Sequence, residues 1–221
     1  MDDLDQATRV LVAFARNSFE KVTMGALAEA AGISRQTLYN RYATKERVLA
    51  RAAEEFSRHA RMRACAELNA SDRPTADCLV AAFSERMGIL VPLVHGLPHG
   101  PEILDLGIAL RRKSQGDFPP FHVDFTKELA LFLQAREVCE TLAEAEETVF
   151  LLMMSGKGLL MDTRSRAAFE AGMARVVAVI LRDSMPAGRR TDPGAAGDDP
   201  EIDPTRTLRQ RPRSIEEERD R

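Results

Sequence analysis

Tryptophan is absent from this 221-residue chain, and aromatic residues make up only 5% of it. With 44% hydrophobic and 29% charged residues, that composition favours a soluble, helix-rich globular protein. Cysteine is also scarce. Cys65, Cys78 and Cys139 are odd in number, widely spaced and without a paired motif, which excludes a disulfide framework and predicts a reducing, cytoplasmic setting. No unbroken apolar run appears: Val149–Met161, the longest apolar-rich stretch, is interrupted by Ser155 and Lys157 and is too short to span a bilayer. The opening MDDLDQATR is acidic and leads into no long apolar run, so neither a secretory leader nor a membrane partner is expected. There is no phosphate loop, no HExxH and no set of nucleophile, base and orienting group, which leaves an enzyme reading without support. No cofactor or metal is expected.

A large basic surplus is missing too. The formal net charge is -3, which argues against bulk polyelectrolyte binding. Charge is uneven, however: residues 1 to 66 hold 11 Lys/Arg and 8 Asp/Glu, a local surplus of 11 - 8 = +3. Within that part, Thr23–Leu49 places two short helical patterns around a Gly-Ile turn, and a longer helix pattern follows. Thr23 is positioned as the cap of the first, with Leu27, Ala28 and Ala31 facing inward. Gly32 supplies the left-handed turn and Ile33 drops toward the core. Ser34 caps the next helix, Leu38 points back, and Thr44 caps a third pattern running through Val48, Ala52 and Phe56. From Ser34 to Lys45 the charges are Arg35, Arg41 and Lys45, with no acid among them. Upstream, Ala7, Val10, Leu11 and Phe14 mark a first amphipathic helix ending near Asn17.

The pattern FxxxxFxxVTxxxLAEAAGISxxTLYxRYxTKExVL, from Phe14 to Leu49, resembles the N-terminal domain of TetR-family transcriptional regulators. The likeness covers about the first quarter of the chain. It departs from the family pattern at Gln36, Tyr42 and Gly25, and no basic arm precedes the first helix. The resemblance implies that the third helix enters the major groove, with Arg35, Gln36, Thr37, Tyr39 and Asn40 at the matching positions. Arg can pair bidentately with guanine, and Gln or Asn with adenine. Thr23, Ser34, Arg41 and Lys45 would hold phosphates, contacts that position without reading sequence. Tyr39 stays open between a phosphate contact and a ring packed on the domain core.

Farther on, helical stripes recur through Leu79, Phe83, Met87 and Leu90, then Ile103 to Lys113, then Phe121, Phe125, Leu129 and Phe132. An irregular connection is expected over Val91–Pro101, a turn at Ser71–Pro74 and a break at GDFPP. The final stripe, Phe169, Met173, Val176, Val177 and Ile180, ends near Asp183. From Pro186 the composition shifts to Pro, Gly, Arg and acid, with 8 Arg against 9 Asp/Glu, which predicts disorder.

The expected architecture is all-α. An N-terminal helix-turn-helix domain (1-48) is joined by a linking helix to a helical effector-binding and dimerisation domain (49-185), and a disordered tail (186-221) follows. By the same resemblance, a ligand cavity is expected among Phe83, Met87, Leu90, His95, His99, Phe121, Phe125, Phe150, Met153 and Met154, although a single residue of this kind is more often ordinary core. A dimer interface is expected from Leu152, Gly156, Leu159, Phe169, Gly172, Met173, Val176 and Ile180, since Val149–Met154 is apolar all round and needs cover on both sides. The expected partners are a near-palindromic double-stranded DNA operator, a small apolar or amphipathic effector and a second copy of the chain. The leading expectation is a homodimeric repressor released by its ligand. A ligand-independent or activating regulator is the alternative, with metal sensing through His95, His99 and His122, or redox sensing through the cysteines, behind it.

Overall fold

The computed structural model describes residues 3–70, 72–113 and 121–183, and every described element is helical. Ser71, the GDFPP break and the 186-221 tail lie outside the described residues. The chain divides into units 1–186 and 187–221, so the described part belongs to the first.

Helix α1 (Asp3–Asn17) buries Ala7, Val10, Leu11 and Phe14 along one face. In α2 (Met24–Ala31) the Thr23 hydroxyl accepts the Ala26 N–H at 3.2 Å, filling one of the donors left open at a helix start. Gly32 ends it at φ 69°, and the amides of Gly32 and Ile33 close back on Glu29 and Ala28. Ser34 then caps α3 (Arg35–Tyr42) by accepting the Thr37 N–H at 3.0 Å. Thr44 caps α4 (Lys45–Leu68), a helix of 24 residues that crosses the expected boundary at 48 and 49 without interruption.

Beyond α4 follow α5 (Thr75–Arg86), a 3-10 turn (Gly88–Leu90), α6 (Val91–Gly96) and α7 (Gly100–Lys113). Then come α8 (Phe121–Ala135), α9 (Leu142–Asp162) and α10 (Arg166–Asp183). Val91–Pro101 is thus more regular than expected. Pro92 sits in the first turn of α6, where its missing N–H is not needed, and only Leu97–His99 interrupts the helices. Thr75–Gly96 is also a longer apolar stretch than Val149–Met161, with a mean hydropathy of 1.4 suited to a membrane crossing. It is broken near Met87, and 61% of the 18-residue window that gives this hydropathy is buried inside the protein, the pattern of a core segment.

Two hydrophobic cores form. One joins α1, α2, α3 and the front half of α4; the other joins the rear of α4 with α5, α8, α9 and α10. Helix α7 belongs to the first core despite its place in sequence: Ile103 is 2% exposed there, flanked by Leu106 and Leu110. The His99 amide donates to the Ala15 carbonyl at 2.9 Å, docking the start of α7 on the end of α1. The N-terminal helices are therefore fastened to the rest by two elements, α4 and α7, and not by α4 alone.

A polar cluster ties the second core together. Glu85, largely buried on α5, meets Arg63 of α4 at 2.6 Å and Arg166 of α10 at 2.6 Å. Arg166 also donates to Ser84 Oγ at 2.8 Å and to Glu170 at 3.1 Å. Burial works against the Arg166 charge, but the hydrogen bond and charge of Glu85, then those of Glu170, hold its pKa above the ordinary value.

Candidate nucleic-acid interface

Helix α3 is short and polar, and one residue anchors it. Leu38 is 1% exposed, inserted among α1, α2 and α4, while Arg35, Gln36, Tyr39, Asn40 and Arg41 are exposed. The caps on both flanking helices fix its angle, and the Gly32 turn lets α2 and α3 meet closely. The Gln36 amide donates to Asn40 Oδ1 at 2.7 Å, so the two side chains are held together along one face. That leaves the Gln36 oxygen and the Asn40 amide without a partner among the described residues, an acceptor and a donor of the kind adenine pairs with. Thr37 is half-buried, its hydroxyl 2.8 Å from Ser34 Oγ. Tyr39 is 56% exposed, so its ring does not pack on the core.

The four residues expected at phosphates are not alike. Thr23 and Ser34 use an oxygen lone pair in capping, and Arg41 is exposed. Lys45 departs from the expectation. Its ammonium donates to the Phe19 and Glu20 carbonyls at 2.8 and 3.0 Å and lies 5.1 Å over the Phe19 ring, so it is engaged in closing the loop after α1. Nearby, Glu46 is held below its ordinary pKa by the backbone amides at the start of α4 and by Thr44.

The expected ligand residues are distributed differently from the expectation. Phe83 and Phe125 are fully buried and meet edge to face at 6.1 Å, with Met87 nearly buried beside them. Leu90 and Met153 are half-buried at the margin. The side chain of Phe121 lies outside those described. Phe150 and Met154 are 63% and 48% exposed, so they line no interior space. Conversely, Leu152, Gly156, Phe169, Gly172 and Met173, expected at a dimer surface, are buried within the chain. Leu159, Val176 and Ile180 are half-buried. The reason is the register of α9: its inward face is Ala145, Val149, Leu152, Gly156 and Leu160. A run apolar on every face gives no periodicity from which to choose the inner side.

The histidines have protein partners. His95 lies 2.8 Å from the Leu160 carbonyl through Nε2 and 2.8 Å from Arg164 through Nδ1, and His99 meets Glu102 at 3.1 Å. The side chain of His122 lies outside those described. Among the described residues no cluster of three metal-ligating side chains occurs. Burial, then Glu128, pushes the Cys65 thiol up to about 12, and burial raises that of Cys139.

Sequence reasoning missed the Glu85 cluster and a cleft of about 270 Å³ between α1, α3 and α4. The one available signal for the cluster was acid and base at helical positions in otherwise apolar segments.

Residues 4–58 match the family described as bacterial regulatory proteins, tetR family. No curated protein matches the chain. Among solved structures, a Mesorhizobium loti MAFF303099 protein assigned to the TetR family of transcriptional regulators is similar at 16% identity and TM-score 0.55, covering 82% of this chain and 95% of that one. The TetR family transcriptional regulator PfmR from Thermus thermophilus is similar at 16% identity and TM-score 0.54, covering 79% and 97%. A transcriptional regulator from Rhodococcus sp. Rha1 is similar at 19% identity and TM-score 0.51, covering 83% and 97%. These likenesses extend the shared fold over the described helices of both cores.

Proposed function

We propose that this chain, whose residues 4–58 are a tetR-type regulatory domain, is a DNA-binding transcriptional regulator that works as a homodimer in the cytoplasm and represses until a small molecule binds. The observation that carries the reading is the outward face of α3. Arg35, the Gln36–Asn40 pair and Arg41 stand exposed on a helix anchored by Leu38 and capped by Ser34, with no acid from Ser34 to Lys45. Such a face can present bidentate groups to base edges while its cap region meets phosphates.

The homodimer rests on a different stripe from the one expected in sequence. Phe150, Met154, Gly158 and Met161 share the outer face of α9, and a Cβ at Gly158 would meet nothing within 4 Å. Leu151 on α9 and Val179 on α10 are exposed apolar residues as well. Burial of the α9 face against a second copy would place two α3 helices to read two half-sites, roughly 34–36 Å apart or a multiple of that. Release by ligand requires tighter binding to a conformation with wrongly spaced heads. The domain division 1-48, 49-185 is kept in this reading as a division of roles, although the first core also takes in Leu49, Ala52, Phe56 and Ile103 from beyond residue 48.

The test is a gel-shift with DNA immediately upstream of the chain's own gene. Saturable binding to a near-palindrome, weakening steeply with salt, is expected. Failure across the whole neighbouring region refutes the regulator, and a monomeric mass at micromolar concentration refutes the dimer.

A further inference from the structure

Helix α3 carries two neutral amides that are joined before any partner arrives. Gln36 and Asn40 stand four residues apart, a spacing at which helical side chains meet, and Gln36 Nε2 donates to Asn40 Oδ1 at 2.7 Å. Both are exposed, and neither has another partner among the described residues. The bond makes the two amides one object. It engages one N–H of Gln36 and one lone pair of Asn40, which leaves a carbonyl free on Gln36 and an NH2 group free on Asn40. Turning both amides over exchanges the residues but not the result: one free carbonyl and one free NH2 remain. That mixed polarity selects among the groups a duplex offers. A phosphate only accepts, so it has no use for the carbonyl. Guanine shows two acceptors in the major groove, N7 and O6, whereas adenine shows an acceptor at N7 and a donor at N6.

We propose that Gln36 and Asn40 act as a single reader of one adenine in each half-site, the free carbonyl taking the N6 hydrogen and the free NH2 donating to N7. This rests on the DNA-binding reading above and adds to it the base preferred at one position. The internal bond holds both side chains in place before contact, so removing either residue also releases the other. Such a removal leaves the helix itself standing, because α3 is anchored by Leu38 and capped by Ser34.

Selection from duplexes with a randomised core, followed by titration of the full chain against the selected duplex and its A·T→G·C variants, tests the pair. An A·T pair is expected at one position of each half-site, preferred over G·C by about tenfold or more. Gln36→Ala and Asn40→Ala should each lose that preference at the same position, and the double variant should lose no more than either single one. Preference for G·C at that position, two variants that relax different base pairs, or additive losses would each overturn the proposal. Side-chain amide signals recorded without DNA examine the pair by itself. Asn40→Ala should shift the Gln36 NH2 signals, and unmoved signals refute the pair whatever the operator. Saturable binding with independent losses therefore sinks the shared reader alone, whereas no binding to any duplex sinks it together with the regulator reading.

Discussion

Ile103 tests the double fastening of the reading head, because it lies far along the chain yet is 2% exposed inside the N-terminal core. Ile103→Ala removes three carbons. At ~0.8 kcal/mol per buried CH2 group the transfer loss is about 2.4 kcal/mol, and the cavity left behind brings the expected cost to roughly 3–4 kcal/mol. For a chain of this size that lowers Tm by roughly 6–16 °C. The informative measurement is hydrogen exchange in parallel with urea unfolding. The α1–α3 amides should lose protection more than those of α9 and α10, since the void is in the first core. Leu133→Ala is the control: Leu133 is fully buried in the second core, and its truncation should loosen α8–α10 preferentially. A cost below ~1 kcal/mol for Ile103→Ala, or an identical exchange pattern in both variants, refutes α7 as a strut of the reading head.

Three further outcomes follow from single positions. Arg35→Ala should cost about 1–3 kcal/mol in specific binding and relax preference at one base pair; equal loss across all operator variants would contradict base reading. Gly32→Ala should cost ~1 kcal/mol in urea unfolding through its left-handed backbone alone, because the position is exposed and φ is 69°. Cys65, pushed to about 12 from 9.0 by burial and then by Glu128, should react with a thiol reagent at pH 8 far more slowly folded than in urea. Its folded pKa is raised, so its contribution to stability is full below pH 9 and is lost as pH rises toward 12; Cys65→Ala should remove that part of the alkaline slope. Folded Cys65 reacting as fast as an unfolded thiol would refute this.

The elements most legible in the sequence are those with local chemical signatures. Thr23, Ser34 and Thr44 each precede a helix and each accepts an amide hydrogen in the structure. Gly32 adopts the left-handed turn its position demands. These features depend on residues three or four apart, which a sequence displays directly. What was not legible depends on packing over long separations. The docking of α7 joins His99 to Ala15, and the Glu85 cluster joins α4, α5 and α10. Helix α9 shows the limit most clearly. Phe150 and Leu152 are both large and apolar, two residues apart, yet one is 63% exposed and the other is fully buried. Their chemistry could not distinguish core from surface, whereas Gly156 explains the choice. A Cβ at Gly156 would sit 2.9 Å from Met87 Sδ and 3.1 Å from Phe83 Cδ1, so this face of α9 is the one that can approach α5.

That close approach bears on how a ligand could control DNA binding. Around Phe83, Phe125 and Gly156 the second core is filled, so an effector entering there must displace side chains rather than occupy ready space. Displacing α5 strains Glu85, which holds Arg63 on the linking helix and Arg166 on α10 together. Through Arg63 the strain reaches α4, but α7 independently holds the first core through Ile103. A ligand that moved α4 alone would therefore shear the reading head against α7, breaking the packing worth roughly 3–4 kcal/mol at Ile103. Moving α4 and α7 together avoids that cost. Release by an effector in the second core is thus expected to carry α1–α3 as a rigid head on two struts, and weakening the α7 strut should reduce the coupling between effector and DNA even where both sites remain intact.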